Sequence, residues 1–221
     1  MSGALTLLRR SAPFAAASAA TLNDLAAGAR WCWPERGQQL FGPSDPVDTL
    51  LLPAQGGVRV YRVSPAGREL TLRVDGPQQP VELAAVLSGQ AWHGVAAQAL
   101  GAAPQLLCLP AQAVQGALLH DPALAAATIT HLARRAADSQ RHLAALVLGG
   151  VTERLAAELL RHAAAPWPLP TNSDLAARLG TVPEIVSRKL GEFYRRGVID
   201  LRGRTVTVTE PVTLQRLAEG S

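Results

Sequence analysis

The 221-residue sequence contains one lysine, Lys189, among its 21 basic residues. Its two cysteines, Cys32 and Cys108, are too few for a disulfide framework and lack the CxxC spacing of zinc or iron–sulfur sites. No H-x-H pair occurs among five histidines, which argues against a metal-binding cupin. The expected metal complement is none. Apolar runs never reach the roughly eighteen uninterrupted residues of a membrane span. Near the start, Arg9 and Arg10 follow the first apolar run of MSGALTLLRRSAPFAAASAA instead of preceding it, the reverse of an export signal. An amphipathic first helix and a cytoplasmic protein without a membrane partner are expected. Also missing are a Ser–His–Asp grammar, a Gly-rich phosphate loop and paired catalytic carboxylates, so the chain reads as no enzyme.

What remains is a foldable, mildly basic chain. Hydrophobic residues make up 48% and exclude wholesale disorder. The net charge is +4, carried almost wholly by arginine. The guanidinium fork suits phosphate and guanine, although a GC-rich genome yields the same bias.

Three textures follow one another. Between about Arg30 and Pro110, short strands (RWCW, QQLF, DTLLLP, GVRVYRV, ELTLRV, QLLCLP) alternate with turns (PERG, GPSDP, AQGG, SPAG, DGPQQP). That spacing predicts a jelly roll, a sandwich or a barrel, with 56–74 as a hairpin tipped by PAG. From Pro122 to Leu146 one long helix is predicted. Its residues Ile129, Leu132, Ala136, Leu143 and Leu146 form a narrow seam at coiled-coil spacing, with charges on the flanks. The seam suits self-association, although packing within the helix's own domain would give a similar stripe. A second helix is expected over Thr152 to His162.

The third texture begins at PWPLP, a stiff connector. Thr171 caps a helix that ends at Gly180, and Thr181 with Glu184 reads as a T-x-x-E capping box for the next. Val182, Val186, Leu190 and Phe193 form its apolar stripe. GVIDLRGRTVTVTE then supplies two strands around Arg202–Gly203–Arg204. Helix, tight turn, helix and hairpin make a winged helix-turn-helix. On the second helix, 182–194, Glu184, Ser187 and Arg188 share a face. Glu can accept from a cytosine amino group, and Arg can donate twice to guanine. By spacing alone, Glu184 and Arg188 also fit an i,i+4 ion pair.

Taken in order, these textures resemble the Crp–Fnr family of bacterial transcription regulators. The resemblance rests chiefly on TNSDLAARLGTVPEIVSRKLGEFYRRGVIDLRGRTVTV, and secondly on GQQLF, GVRVY and GRELTL. It implies an α+β protein: an N-terminal cyclic-nucleotide-binding-like jelly roll (1–120), a dimerisation helix (121–148) and a C-terminal winged helix-turn-helix (149–221). It further implies a homodimer on a palindromic double-stranded DNA site, with RNA polymerase as a partner. Base reading falls to Glu184, Ser187 and Arg188, and phosphate contacts to Thr171, Ser173, Lys189, Arg202 and Arg204.

The sensor half departs from the family. Relatives that bind cyclic nucleotide carry a cassette resembling F-G-E…R-[ST]-A. Here Glu82 stands in place, but Val81 replaces the Gly, and Trp92 and His93 replace the Arg–Ser pair. Between Val74 and Ala133 there is no Lys or Arg to meet a phosphate. Glu82, Trp92 and His93 are the effector-pocket candidates, and cyclic-AMP dependence is not expected unless Arg59, Arg62, Arg68 or Arg73 reaches in from the hairpin. Nor is a resident cofactor, His93 being the residue that the resemblance offers to haem. The alternative is a regulator gated by haem or a small ligand in the jelly roll.

Overall fold

A computed structural model of the protein describes residues 2–148 and 150–220, without the side chains of Ser2, His142 and residues 145–148. The chain divides into two compact units, residues up to 62 with 72–137, and residues 63–71 with 138 onward.

In the first unit, helices α1 (Ser2–Arg10) and α2 (Ala19–Gly28) precede strands β1 (Arg30–Cys32), β2 (Gln39–Phe41), β3 (Thr49–Val63) and β4 (Glu69–Asp75). Helix α3 (Leu83–Ser88), strand β5 (Ala96–Pro110), helix α4 (Ala111–His120) and helix α5 (Pro122–Leu148) follow. The sheet order is β1-β5-β3-β4, with β2 also on β5. Period-two alternation along the long strands feeds two cores. Leu50, Leu52, Leu107 and Leu109 face Leu8, Phe14, Leu25 and Val114 of the helices. Leu51 and Leu106 turn to the other side, where Phe41, Val58, Val60 and Ala97 fill the jelly roll.

Two expectations about this half are corrected. AQGG is not a turn: DTLLLP and GVRVYRV are one strand, β3, whose register with β5 shifts around Gln55. Gly56 makes that possible. Its φ is +77°, and a Cβ there would lie 2.3 Å from the Leu100 carbonyl oxygen, so the bulge admits no side chain. The final strand is also longer than QLLCLP, since β5 starts at Ala96. The hairpin tip is as expected, with the Ser64 N–H donating to the Arg68 carbonyl at 2.8 Å.

Helix α5 starts where Asp121 caps it. The carboxylate accepts from the backbone N–H of Ser18 at 2.7 Å and of Leu124 at 3.0 Å. Those amides, Ser18 first, hold it well below the usual carboxylate range. Pro122 occupies the first helical position, where no amide is needed.

The second unit contains α6 (Val151–Leu160), β6 (Trp167–Pro168), α7 (Asn172–Leu179), α8 (Pro183–Arg195), β7 (Ile199–Arg202), β8 (Thr205–Val208) and α9 (Pro211–Ala218). Leu155, Leu159, Leu175, Val186, Leu190, Phe193, Ile199, Val206 and Leu214 form one core. The connector PWPLP does more than join. Trp167 pairs with Val206 and Pro168 with Thr205, which makes β6 the third strand of the wing sheet, in the order β6-β8-β7. Together the two units are an α+β protein with a jelly roll and a winged helix-turn-helix. Among the described residues, no helix is long and apolar enough to cross a membrane.

Candidate nucleic-acid interface

Helix α7 begins as its sequence predicts. The Thr171 hydroxyl accepts from the Asp174 N–H at 3.1 Å and donates to the Asp174 carboxylate at 2.7 Å. Gly180 closes the helix in the left-handed conformation, φ 62° and ψ 42°. Arg154 of α6 donates to the Leu179 carbonyl at 2.8 Å, satisfying one of the orphan acceptors there. Buried Glu158 ties α6 to α7 through Arg178 at 3.4 Å, and it also holds Arg161 at the end of its own helix at 2.6 Å. The helix pair is thus fixed by hydrogen bonds as well as by its core.

The start of α8 differs from expectation. Thr181 is not its cap and no capping box forms. Val182 is the N-cap, extended at φ −114° and ψ 153°, with no side-chain cap bond. The cause is Pro183, which starts the helix and disfavours helical backbone before itself. Val182 therefore leaves the apolar stripe and is 40% exposed, whereas Val186, Leu190 and Phe193 are buried.

The opposite face of α8 carries Glu184, Ser187 and Arg188, all exposed. Spacings of three and one place them side by side across one turn. Among the described residues, no salt bridge within 4.0 Å joins Glu184 to Arg188, so the i,i+4 pair allowed by spacing does not form. Lys189 lies to one side and donates to Glu192 at 2.8 Å, a bond that draws the Glu192 carboxyl below its usual range. Exposed Ser173 sits in the first turn of α7. On the wing, exposed Arg202 pairs with Asp200 at 3.0 Å. Arg204 is anchored twice: its side chain donates to the Pro170 carbonyl, and its own carbonyl accepts from the Leu169 N–H at 2.7 Å.

Along α5, Ile129 is 69% and Leu143 61% exposed. Ala136 is exposed, and Leu132 packs partly against the helical core. The Leu146 side chain lies outside the described residues.

In the jelly roll, the three effector-pocket candidates have different surroundings. Glu82 caps α3 with left-handed backbone, φ 56°, and its carboxylate receives the Arg73 guanidinium. Arg73 also donates to Asp75 at 2.9 Å. Burial works against the Arg73 charge, and the two carboxylates outweigh it, raising its pKa above the ordinary arginine value. Trp92 is exposed and bridges to Pro46. His93 is buried, its ring stacked 3.7 Å from Phe41. Desolvation lowers its pKa, against the pull of Glu82, Asp45 and Asp48. A cavity of about 500 Å³ is lined by His93 but not by Glu82 or Trp92.

Residues 153–217, spanning nearly all of the second unit's core, match the family model of the Crp-like helix-turn-helix domain. The cyclic AMP receptor protein of Thermus thermophilus is 30% identical over 189 residues, covering 84% of this chain and 86% of the relative. The chain belongs to the Crp–Fnr family. The global nitrogen regulator of Synechococcus elongatus is 28% identical over 196 residues, 82% of this chain and 86% of the relative. In fold, the structure of FixK2 from Bradyrhizobium japonicum superposes with a TM-score of 0.76 at 22% identity, covering 86% of this chain and 96% of that one. Crp–Fnr proteins are transcription regulators, not enzymes, and this chain is a DNA-binding regulator of that type.

Several features of this Crp–Fnr chain were not legible in its sequence. The third wing strand arises from two residues inside a proline-rich connector, where strand periodicity has no room to show. The Arg73–Glu82 pair crosses a turn and a strand end, and nothing in the spacing marks it.

Proposed function

We propose that the protein acts as a cytoplasmic homodimer that reads a palindromic DNA site with α8, and that it does so without cyclic AMP. The observation that carries the reading is the exposed, unpaired face of Glu184, Ser187 and Arg188 on a helix whose other face is anchored in the core. An unpaired arginine near a recognition-helix N-terminus is available for a bidentate guanine bond, and the glutamate for a cytosine amino group. Thr171, Ser173, Lys189, Arg202 and Arg204 would hold the backbone on either side. Dimerisation through Ile129, Leu132, Ala136, Leu143 and Leu146 would place two such helices on two half-sites. RNA polymerase is the partner through which a regulator of this type acts.

The Thermus relative is named for cyclic AMP. Independence from that ligand is supported by charge. Arg73, the cation beside Glu82, is already shared between two carboxylates. With Trp92 and His93 at the cassette's Arg–Ser positions, the cassette itself offers a buried phosphate no cation. A resident haem is also left out of the reading, because the His93 ring is buried and stacked on Phe41. A Soret band in the purified protein would restore the haem-gated alternative.

The test is selection of sites from random DNA by the purified full chain without added nucleotide. A two-fold symmetric consensus is expected, with half-sites about one helical turn, roughly 34 Å, apart. Sequence-independent retention, or selection only when cyclic AMP is added, contradicts the proposal.

A further inference from the structure

The cavity beside His93 contains two carboxylates and no balancing cation. It opens between β1, β2 and the segment that precedes β3, and its wall includes Trp33, Phe41, Asp45, Asp48, His93 and Cys108. At about 500 Å³ it falls within the range of small-molecule sites. Of the residues at the cyclic-nucleotide cassette positions, His93 lines it, whereas Glu82, its partner Arg73 and Trp92 do not.

Its chemistry is selective. Asp45 uses one carboxylate oxygen to accept the Gly42 N–H at 2.7 Å, and Asp48 uses one to accept the Thr49 hydroxyl at 2.9 Å. No Lys or Arg lines the wall. Arg30, whose charge acts on Cys108, is exposed and outside the lining. Burial, followed by a hydrogen bond with Cys32, pushes the Cys108 thiol up to about 12, so Cys108 adds no charge to the cavity. His93 is buried to 6% exposure, and its Nδ1 has no hydrogen-bond partner among the described residues. Phe41 stacks on it, and Trp33, 67% exposed, stands at the rim with its indole largely in water.

An anion entering this cavity would meet two carboxylates. A neutral apolar molecule would strip them of water and return nothing. A metal ion lacks a ligand set: among the described residues, no three His, Cys, Asp or Glu side chains are grouped to hold one. What suits carboxylates and aromatic rings together is an organic cation, whose charge the acids neutralise and whose body the ring faces attract. We infer that this cavity is a binding site for a small organic ammonium compound with an aromatic body, which Asp45 and Asp48 would hold by charge and Trp33 and Phe41 by their rings.

The experiment is calorimetric titration of the full chain, without DNA, using three probes: tryptamine, phenethylamine and benzyltrimethylammonium. Indole-3-propionate and 3-propylindole serve as the anionic and neutral counterparts of tryptamine. Working without DNA makes the result independent of how α8 reads bases. At least one ammonium probe is expected to bind, and the two counterparts to bind about tenfold more weakly or not at all. Trp33→Ala and Asp48→Asn should each weaken the ammonium probe about tenfold. Both side chains are exposed, so neither change threatens the fold, and circular dichroism checks this. Asp45→Asn retains an acceptor for the Gly42 amide and should behave like Asp48→Asn. No heat from any ammonium probe at millimolar concentration, equal binding of the anion, or indifference to Trp33→Ala and Asp48→Asn would each overturn the assignment.

Discussion

Arg135 of the long helix donates to the Asp75 carboxylate at 2.6 Å, and that carboxylate has no exposed surface. Asp75 also receives Arg73, which in turn holds Glu82. Two arginines and two carboxylates therefore sum to zero charge within one connected cluster. It fastens α5 to the end of β4 and occupies the glutamate that the family resemblance places in an effector cassette.

Loss of Asp75 would leave two cations facing each other without their shared partner. Asp75→Ala is expected to destabilise the protein by about 2–3 kcal/mol, below the value for a wholly buried pair because both arginines are partly exposed. For a chain of this length that is a fall in melting temperature of roughly 4–12 °C. Differential scanning calorimetry of wild type and variant measures it, and an unchanged melting temperature would mean that the cluster contributes nothing to the fold.

The acid side of the stability profile should follow the histidines. His93, His131 and His162 all have pKa values lowered, chiefly by desolvation. The unfolded chain then binds more protons than the native one as pH falls through the ordinary histidine value of about 6.5, so stability drops in that window. Asp121 acts lower down. Its depressed carboxylate stabilises fully above about pH 4, and that contribution is lost as pH falls through its folded value. Melting curves between pH 7 and 5 test the first effect (approximate limits set by the histidine range). His93→Phe keeps the stack on Phe41 and should lose less stability on acidification than wild type does.

Exposure of Ile129 and Leu143 makes the dimer testable without disturbing the monomer. Ile129→Arg with Leu143→Arg should leave the melting transition cooperative, yet give a monomer in equilibrium sedimentation. Binding to a full palindrome should weaken by about a hundredfold or more, as expected when two linked half-sites become independent. Binding to an isolated half-site should be unaffected.

How far the sequence carried these conclusions varied with the kind of signal. Thr171 and Gly180 are local: a cap and a left-handed glycine each act within a few residues, and both are found where the letters place them. Thr181 fits the same capping grammar and is overruled by its neighbour Pro183, a reminder that two local rules can compete within three residues. The β3 bulge at Gly56 imitates a turn because a glycine with positive φ serves both purposes. Arg73 and Asp75 are two residues apart on β4, but Arg135 lies sixty residues further on, and its meeting with Asp75 depends on tertiary placement that no periodicity encodes. The cavity acids Asp45 and Asp48 look in sequence like an ordinary polar turn, GPSDPVD.

The two wing arginines should part company. Arg204→Ala removes the bond to Pro170 and is expected to lower both the melting temperature and the affinity for all DNA sequences. Arg202 is highly exposed and paired only with Asp200 in the described structure. Arg202→Ala should leave stability nearly unchanged while reducing the salt dependence of binding by about one unit if it contacts one phosphate. Affinity measured across a salt series separates the two.

Arg188→Ala asks whether the free face of α8 reads bases. Affinity should be measured for the selected consensus and for a set carrying each single base-pair change, with melting temperature alongside. A loss of about 1–3 kcal/mol on the consensus and a relaxed preference at one base pair per half-site are expected. Melting temperature should be unchanged, because Arg188 has no salt bridge among the described residues to lose. An unaltered base preference, with affinity falling equally on every sequence, would contradict base reading and make Arg188 a phosphate contact.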